Sequence, residues 1–183
     1  MKTRNSSTFI KLTGLLSVLF LLHACSDNMK PLKTVENVDI DRYLGTWYEI
    51  ARLPNRFEKG LVCVTAEYSL REDGKIKVVN RGHKEKDRTK IKEATGKAWR
   101  PDKNEPGRLK VQFFWPFSGG YYIFHLDTVN YQYALVGEPG RDYFWLLSRT
   151  PEIDETLYEE LVGIAEANGY DTAKFYKTPQ DCQ

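Results

Sequence analysis

A change of period constrains this chain most. Short runs rich in Val, Ile, Tyr, Phe and Trp recur from residue 46 to residue 149, with apolar and polar positions alternating. Gly, Pro, Asn and Asp separate them, as at Glu72-Asp73-Gly74-Lys75, 101–107 and 138–142. This is the pattern of half-buried β-strands joined by turns. It stops after residue 149. Leu157, Leu161, Ile164 and Ala165 then recur at helical spacing, with Asp154 as the N-cap and Gly169 as the stop. Strands are expected at 46–53, 62–70, 75–82, 91–99, 108–114, 121–127, 132–137 and 143–149, followed by a helix over 154–168. One apolar stripe can bury only one helix face, so the helix should lie against the outside of an all-β barrel. A helical turn is expected at 39–44 and an extended piece beside the first strand at 173–176. Residues 54–60 form the long first connection, a candidate lid, and 115–120 reads as an unusually apolar connection.

The first strand opens with Gly45-Thr46-Trp47 and the last ends at Arg149. Gly45 permits close approach by a bulky group, and Trp47 is a large apolar plug. A guanidinium stacked on that indole contributes ~0.5–2 kcal/mol and would fasten the first strand to the last. If Arg149 reaches Trp47 at a closed end, Leu147, Trp145 and Tyr143 share its inward face, and Phe144 and Leu146 face out. In the second strand Val64, Ala66 and Tyr68 form the apolar set, which turns Cys63, Thr65 and Glu67 outward. The same alternation puts Val78, Asn80, Val111, Phe113, Tyr121, Ile123, Ala134 and Val136 inside. Such a lumen suits long acyl chains, since each buried CH₂ contributes about 0.8 kcal/mol. Tyr68, Tyr121 or Asn80 would hold a head group nearer the mouth. The competing reading is a barrel filled by its own side chains.

Three stretches, in order, resemble the motifs of the lipocalins: Gly45-Thr46-Trp47-Tyr48-Glu49-Ile50-Ala51-Arg52, then Leu126-Asp127 with Tyr131, then Leu147-Ser148-Arg149-Thr150-Pro151. The second departs from the usual Thr-Asp-Tyr, and Tyr131 takes the tyrosine's part. The bacterial outer-membrane lipocalins and their animal relative apolipoprotein D are most similar in character. The resemblance implies an eight-stranded antiparallel up-and-down β-barrel with one C-terminal α-helix packed outside. It also implies a base closed by Gly45, Trp47, Asp127 and Arg149, and a hydrophobic ligand within.

The N-terminus reads as an address. Lys2, Arg4 and Lys11 precede an apolar run over 12–22, too short to span a bilayer and flanked like a secretory signal. Leu22-His23-Ala24-Cys25 resembles a bacterial lipobox, whose cysteine is acylated. The alternative is an ordinary signal cut near Ala24. On the first reading, residues 1–24 are a lipoprotein signal peptide, 25–38 a lipidated tether and 39–183 a lipocalin domain. Ser26 after the cysteine goes with lipid anchoring at the outer membrane of a Gram-negative bacterium. The whole chain has 27 Lys and Arg against 25 Asp and Glu, and the leader removes three of the cations. The mature chain is then nearly neutral, which gives no support to nucleic-acid binding. Cys63 and Cys182 remain as a pair, and an exported chain with two cysteines points to one disulfide. Apolipoprotein D-like lipocalins are similar in bridging this part of the second strand to the tail.

Catalytic patterns are scarce. His83 and His125 have neither HExxH nor CxxC company, so neither a metal nor a cofactor is expected. An enzymatic alternative casts Cys63 as the nucleophile of a thiol-dependent isomerase, as the resemblance to the prostaglandin D synthases allows. A scaffold or interaction lipoprotein is another, with Trp115-Pro116-Phe117 as its contact tip. The expected function is a non-catalytic, membrane-anchored lipocalin carrying fatty acids or lysophospholipids for membrane lipid storage, transport or repair. Its expected partners are the lipid ligand and the membrane, with a second copy of the chain as a candidate for a homodimer.

Overall fold

A computed structural model describes residues 30–182. Cys25, the leader and the first part of the tether lie outside the described residues. A short helix, α1 (Ile40–Tyr43), leads into eight antiparallel strands: β1 (Gly45–Arg52), β2 (Leu61–Leu70), β3 (Ile76–Lys84), β4 (Asp87–Trp99), β5 (Arg108–Phe114), β6 (Phe117–Leu126), β7 (Tyr133–Gly137) and β8 (Phe144–Ser148). Each pairs with its sequence neighbour, and β1 pairs with both β2 and β8, which closes the sheet into a barrel. Helix α2 (Glu155–Ala167) follows, then a 3₁₀ turn (Thr172–Lys174) and a short strand β9 (Tyr176–Lys177) beside β1.

Alternation along the strands divides the apolar residues into two cores. Trp47, Ala66, Tyr68, Val78, Ile123, Ala134, Val136 and Leu147 pack inside the barrel. Ile50, Phe124, Leu135, Phe144 and Leu146 face out, where Leu161 and Ala165 of α2 cover them. The Asp154 carboxylate accepts from the Thr156 and Leu157 amides and starts α2 where the sequence predicts. Gly169, at φ +88, adopts the left-handed conformation that ends it.

Three boundaries differ from the sequence reading. The segment 115–120 is not an open connection: Phe114 pairs with Phe117, and Val111 with Gly119, so the turn is only Trp115-Pro116, joined by a cis peptide. Two glycines and a run of aromatics conceal the alternation there. Strand β4 starts at Asp87, four residues early, because its first residues are polar on both faces and carry no apolar signal. The C-terminal extended piece is a 3₁₀ turn followed by β9, which pairs Lys177 with Ala51 and Tyr176 with Arg52.

Cys63 sits at a bulge between Val62 and Thr65 with φ +49. Its amide donates to the Pro179 carbonyl over 2.7 Å, and its sulfur is bonded to Cys182 across 119 residues. The bulge turns the side chain away from the lumen and staples β2 to the tail.

Candidate ligand-binding site

The base is a stack of apolar surface and saturated polar atoms. Trp47 is fully buried and its indole N–H donates to the Tyr43 carbonyl at 2.8 Å. Arg149 lies over the ring with Cζ 3.9 Å from the centroid. Its three nitrogens donate to the carbonyls of Thr46, Arg42 and Tyr131 at 2.9, 2.7 and 3.2 Å. Burial draws the guanidinium below its ordinary pKa. Gly45, at φ +92 beside Arg149, holds a left-handed conformation in which any side chain would be strained. The Asp127 carboxylate accepts from the amides of Val129, Asn130 and Gln132 and so shapes the turn below. Tyr131 receives Arg42 on its ring face at 4.3 Å and accepts the Asp39 amide on its hydroxyl.

Just above the plug, the Tyr121 hydroxyl lies 2.7 Å from that of Tyr43 and 2.8 Å from that of Tyr68. These hydroxyls therefore belong to the floor, not to the mouth where the sequence reading placed a head-group role for Tyr68 and Tyr121. Burial is the main reason that all three phenols sit above their ordinary pKa.

A cavity of about 80 Å³ follows. Ala66, Tyr68, Val78, Asn80, Val111, Phe113, Tyr121, Trp145 and Leu147 line it, together with Val64, Thr65 and Gly120. Ile123 and Val136 face the same way but lie in the solid part of the inner core, fully buried and off the cavity wall. Asn80 brings its Oδ1 in buried, without a hydrogen-bond partner among the described residues. Tyr143, expected inside with Trp145, stands at the rim instead, stacked between Phe57 at 6.2 Å and Trp145 at 5.9 Å. It precedes β8, beyond the reach of the strand's alternation.

Two carboxylates complete the lining, Glu49 and Glu58, and neither belongs to the apolar set read from the sequence. Glu49 lies two positions beyond Trp47 on the same strand face, so its inward direction was legible. It lies against the buried Arg52 guanidinium, which donates to it, and accepts from Thr178 Oγ1 at 2.6 Å. Arg52, also buried, donates onward to Thr178 and to the carbonyls of Glu58 and Leu61. Glu58 hangs from the 53–60 lid. Its carboxylate accepts from Trp145 Nε1 at 3.0 Å and from Asn55. Burial, then the charge of Glu58, raises the Glu49 carboxyl to about 8, against the opposing pull of Arg52 and Thr178. Nothing but the lid's local sequence, an Asx turn through Asn55, announces Glu58.

Both histidines among the described residues lie away from this site. His83 Nδ1 is 2.6 Å from the Arg88 carbonyl, and the His125 ring stacks on Tyr133 of the outer core.

The family described as a lipocalin-like domain matches residues 38–180, which spans the whole barrel and its tail. The chain is a lipocalin. It is 45% identical over 168 residues to the outer membrane lipoprotein Blc of Escherichia coli, covering 91% of this chain and 94% of that protein. The Vibrio cholerae protein of the same name is 43% identical and covers 87% and 93%. Apolipoprotein D of Macaca fascicularis is 36% identical, over 80% of this lipocalin and 79% of its own length. Insecticyanin from Manduca sexta shares the fold with a TM-score of 0.64 at 21% identity, covering 80% and 83%. Against the thiol-enzyme alternative, Cys63 of this lipocalin is in a disulfide, and a disulfide sulfur is not a thiolate nucleophile.

Proposed function

We propose that this lipocalin is a lipid carrier and not a catalyst, held at the outer membrane through an acylated Cys25. Its cargo is a single-chain lipid, a fatty acid or lysophospholipid, taken up for membrane lipid storage, transport or repair. One observation carries the reading: an apolar cavity inside the barrel has an unpartnered Asn80 Oδ1 on its wall and the Glu58 carboxylate, bonded only by neutral donors, at its lid, while the floor hydroxyls satisfy one another. An acyl chain enters with its tail toward the tyrosines and its head under the lid. Pockets that enclose a drug-sized ligand run to ~300–1,000 Å³. A cavity of about 80 Å³ therefore takes the chain only as Phe113, Trp145 and the lid give way.

The head-group chemistry favours lysophospholipids with an ammonium. Glu58 is buried with only neutral donors on its carboxylate. A free fatty acid would bring a second anion to that wall, and a like charge at low effective dielectric is costly. The two relatives named outer membrane lipoprotein support the membrane placement. Native mass spectrometry of gently purified protein, with extraction of bound lipid, tests the reading. Co-purified single-chain lipid, and displacement of a fluorescent fatty acid probe by lysophospholipid, are expected. Neither lipid nor displacement would leave the barrel as a scaffold.

A further inference from the structure

The mouth of the barrel carries features that ligand binding does not use. The β5–β6 tip projects Phe114, Trp115 and Phe117 with 69%, 86% and 78% of their surface exposed. Other exposed large apolar residues are scattered, such as Leu70 and Val129 at the base. Three neighbouring rings on one turn form a patch that water disfavours, and Trp is the residue that settles at a membrane–water interface. Beside them, the lid and the β3–β4 tip carry Arg56, Lys59, Lys84, Lys86, Arg88 and Lys90, all exposed, against Glu85 and Asp87. Lys90 is paired with Asp87 and Arg88 with Asp181, whereas the others have no ion-pair partner among the described residues. The fourth mouth turn, between β7 and β8, adds Glu138 and Asp142. Helix α2, whose C-terminal end meets the mouth turn through Arg141 Nε and the Asn168 carbonyl, carries Glu155, Glu159, Glu160 and Glu166 and no cation.

The path of the N-terminal segment fixes which end is tethered. Arg141, in the turn between β7 and β8 at the mouth, donates to the Lys30 carbonyl at 2.8 Å. The chain then descends outside the barrel. Leu32 is buried in the outer core, Val35 bonds Ile123, and the Val38 carbonyl accepts from Arg100 at the base. Cys25 lies five residues before Lys30. Five residues reach roughly 17 Å even when fully extended. An acyl anchor on Cys25 thus holds the mouth, not the base, at the bilayer.

We propose that the open end of the barrel docks on the bilayer holding the anchor. Phe114, Trp115 and Phe117 sink among the head groups, and the lid and β3–β4 cations meet anionic phosphates. The lid then opens toward lipid and not toward water, so cargo passes without crossing solution. The proposal rests on the acylated Cys25 of the preceding reading and adds an orientation to it.

The test uses the full lipidated protein in phosphatidylethanolamine–phosphatidylglycerol vesicles containing shallow or deep doxyl quenchers. The shallow quencher should extinguish an emission component that Trp115→Phe removes. The double variant W115S/F117S should slow loading of a fluorescent lipid probe from the same vesicles about tenfold, through lost local concentration. The same double variant with Cys25→Ser, studied in solution, should keep its affinity for the probe, and L70S/V129S at the base should alter neither measurement. Equal effects from mouth and base variants would overturn the proposal. So would absence of quenching, or a mass for the purified chain that lacks acyl groups. A doubled mass in solution that W115S/F117S restores to one chain, without quenching, would overturn it in favour of a dimer seat. Quenching intact with no probe bound in any form would leave docking standing and remove the carrier reading.

Discussion

Arg149 at the base gives its N–H groups to three backbone carbonyls and its face to an indole. At the mouth, Arg52 is buried more completely, but it shares Glu49 with Thr178 and supports the lid that carries a second carboxylate. Both arginines join β1 to distant chain. They differ in what surrounds the charge. No carboxylate bonds the Arg149 guanidinium among the described residues, so protonation of an acid does not break the seat of that arginine on Trp47. The mouth holds two acids in one cavity wall, Glu49 on β1 and Glu58 on the lid, and the charge of Glu58 helps to raise the Glu49 carboxyl. One end of the barrel is a fixed seal, and the other can respond to pH and to a ligand's charge.

The sharpest way to break that contrast is at the seal. Trp47→Ala empties a fully buried indole site and should cost ~3–5 kcal/mol in urea unfolding. Lipid affinity should fall only as far as folded protein is lost. A folded Trp47→Ala protein that no longer takes lipid would place ligand chemistry at the base and dissolve the distinction. Next in size is the staple. Replacing Cys63 and Cys182 with serine releases a closure of 119 residues and should cost ~2–5 kcal/mol. Because the same tail brings Gln180 to the carbonyls of Glu49 and Val64, and Thr178 to Glu49, the mouth should loosen first. Hydrogen exchange comparing β1 near Arg52 with β1 near Trp47 would show whether it does.

The base was easier to read from sequence than the mouth, for a physical reason. A plug is made by residue types with one dominant use. Gly45, Trp47 and Arg149 announce a close approach, a large apolar filler and a planar cation, and their order along the chain places them on adjacent strands. Strand alternation then carries the inward direction to Ala66, Tyr68, Val78 and Leu147 without help. The mouth depends on features that alternation does not reach. Glu58 and Asn55 sit on a lid with no period, Tyr143 precedes its strand, and Phe117 starts β6 where glycines hide the pattern. Glu49 was within reach, being on Trp47's face, yet a charged residue in a lumen is overlooked when apolar residues are being sorted. Pairing it with Arg52 needed the bulge between Glu49 and Ala51, which no propensity encodes.

The buried acid at the mouth supplies the third test. The Glu49 carboxyl sits near 8 in the fold, against 4.5 as its ordinary value. Between those pH values the native chain keeps a proton that the unfolded chain has released, so stability falls as pH rises through the window. It is flat with respect to this group below about 4.5 and above about 8. The loss amounts to something on the order of a few kcal/mol. Glu49→Gln retains an oxygen for Arg52 and Thr178 and has no proton to lose. Its unfolding free energy should therefore change less between pH 5.5 and pH 8.5 than that of the parent, which is read from urea curves at the two values. Parallel slopes would mean that Arg52 holds Glu49 ionised throughout, and the mouth would then be as fixed as the base.

The smallest effect expected is the most informative about cargo. Glu58→Gln removes one charge from the lid while keeping the shape and an oxygen for Trp145. Stability should move by less than about 1 kcal/mol, since the group is replaced by a near-isostere that can still be hydrogen-bonded. Ligand preference should move more. Against a lysophospholipid and a fatty acid of equal chain length, the parent should favour the lipid whose head carries an ammonium. The variant should narrow that ratio about tenfold, equivalent to ~1.4 kcal/mol. The shift should be divided between a weaker grip on the ammonium and a weaker repulsion of the carboxylate. It should persist in moderate salt, because a buried carboxylate is screened far less than the exposed cations at the rim. If the ratio is unchanged, the head group does not rest beneath the lid. Asn80, deeper on the β3 wall with an unpaired Oδ1, then becomes the polar contact, and Asn80→Leu should weaken both lipids alike.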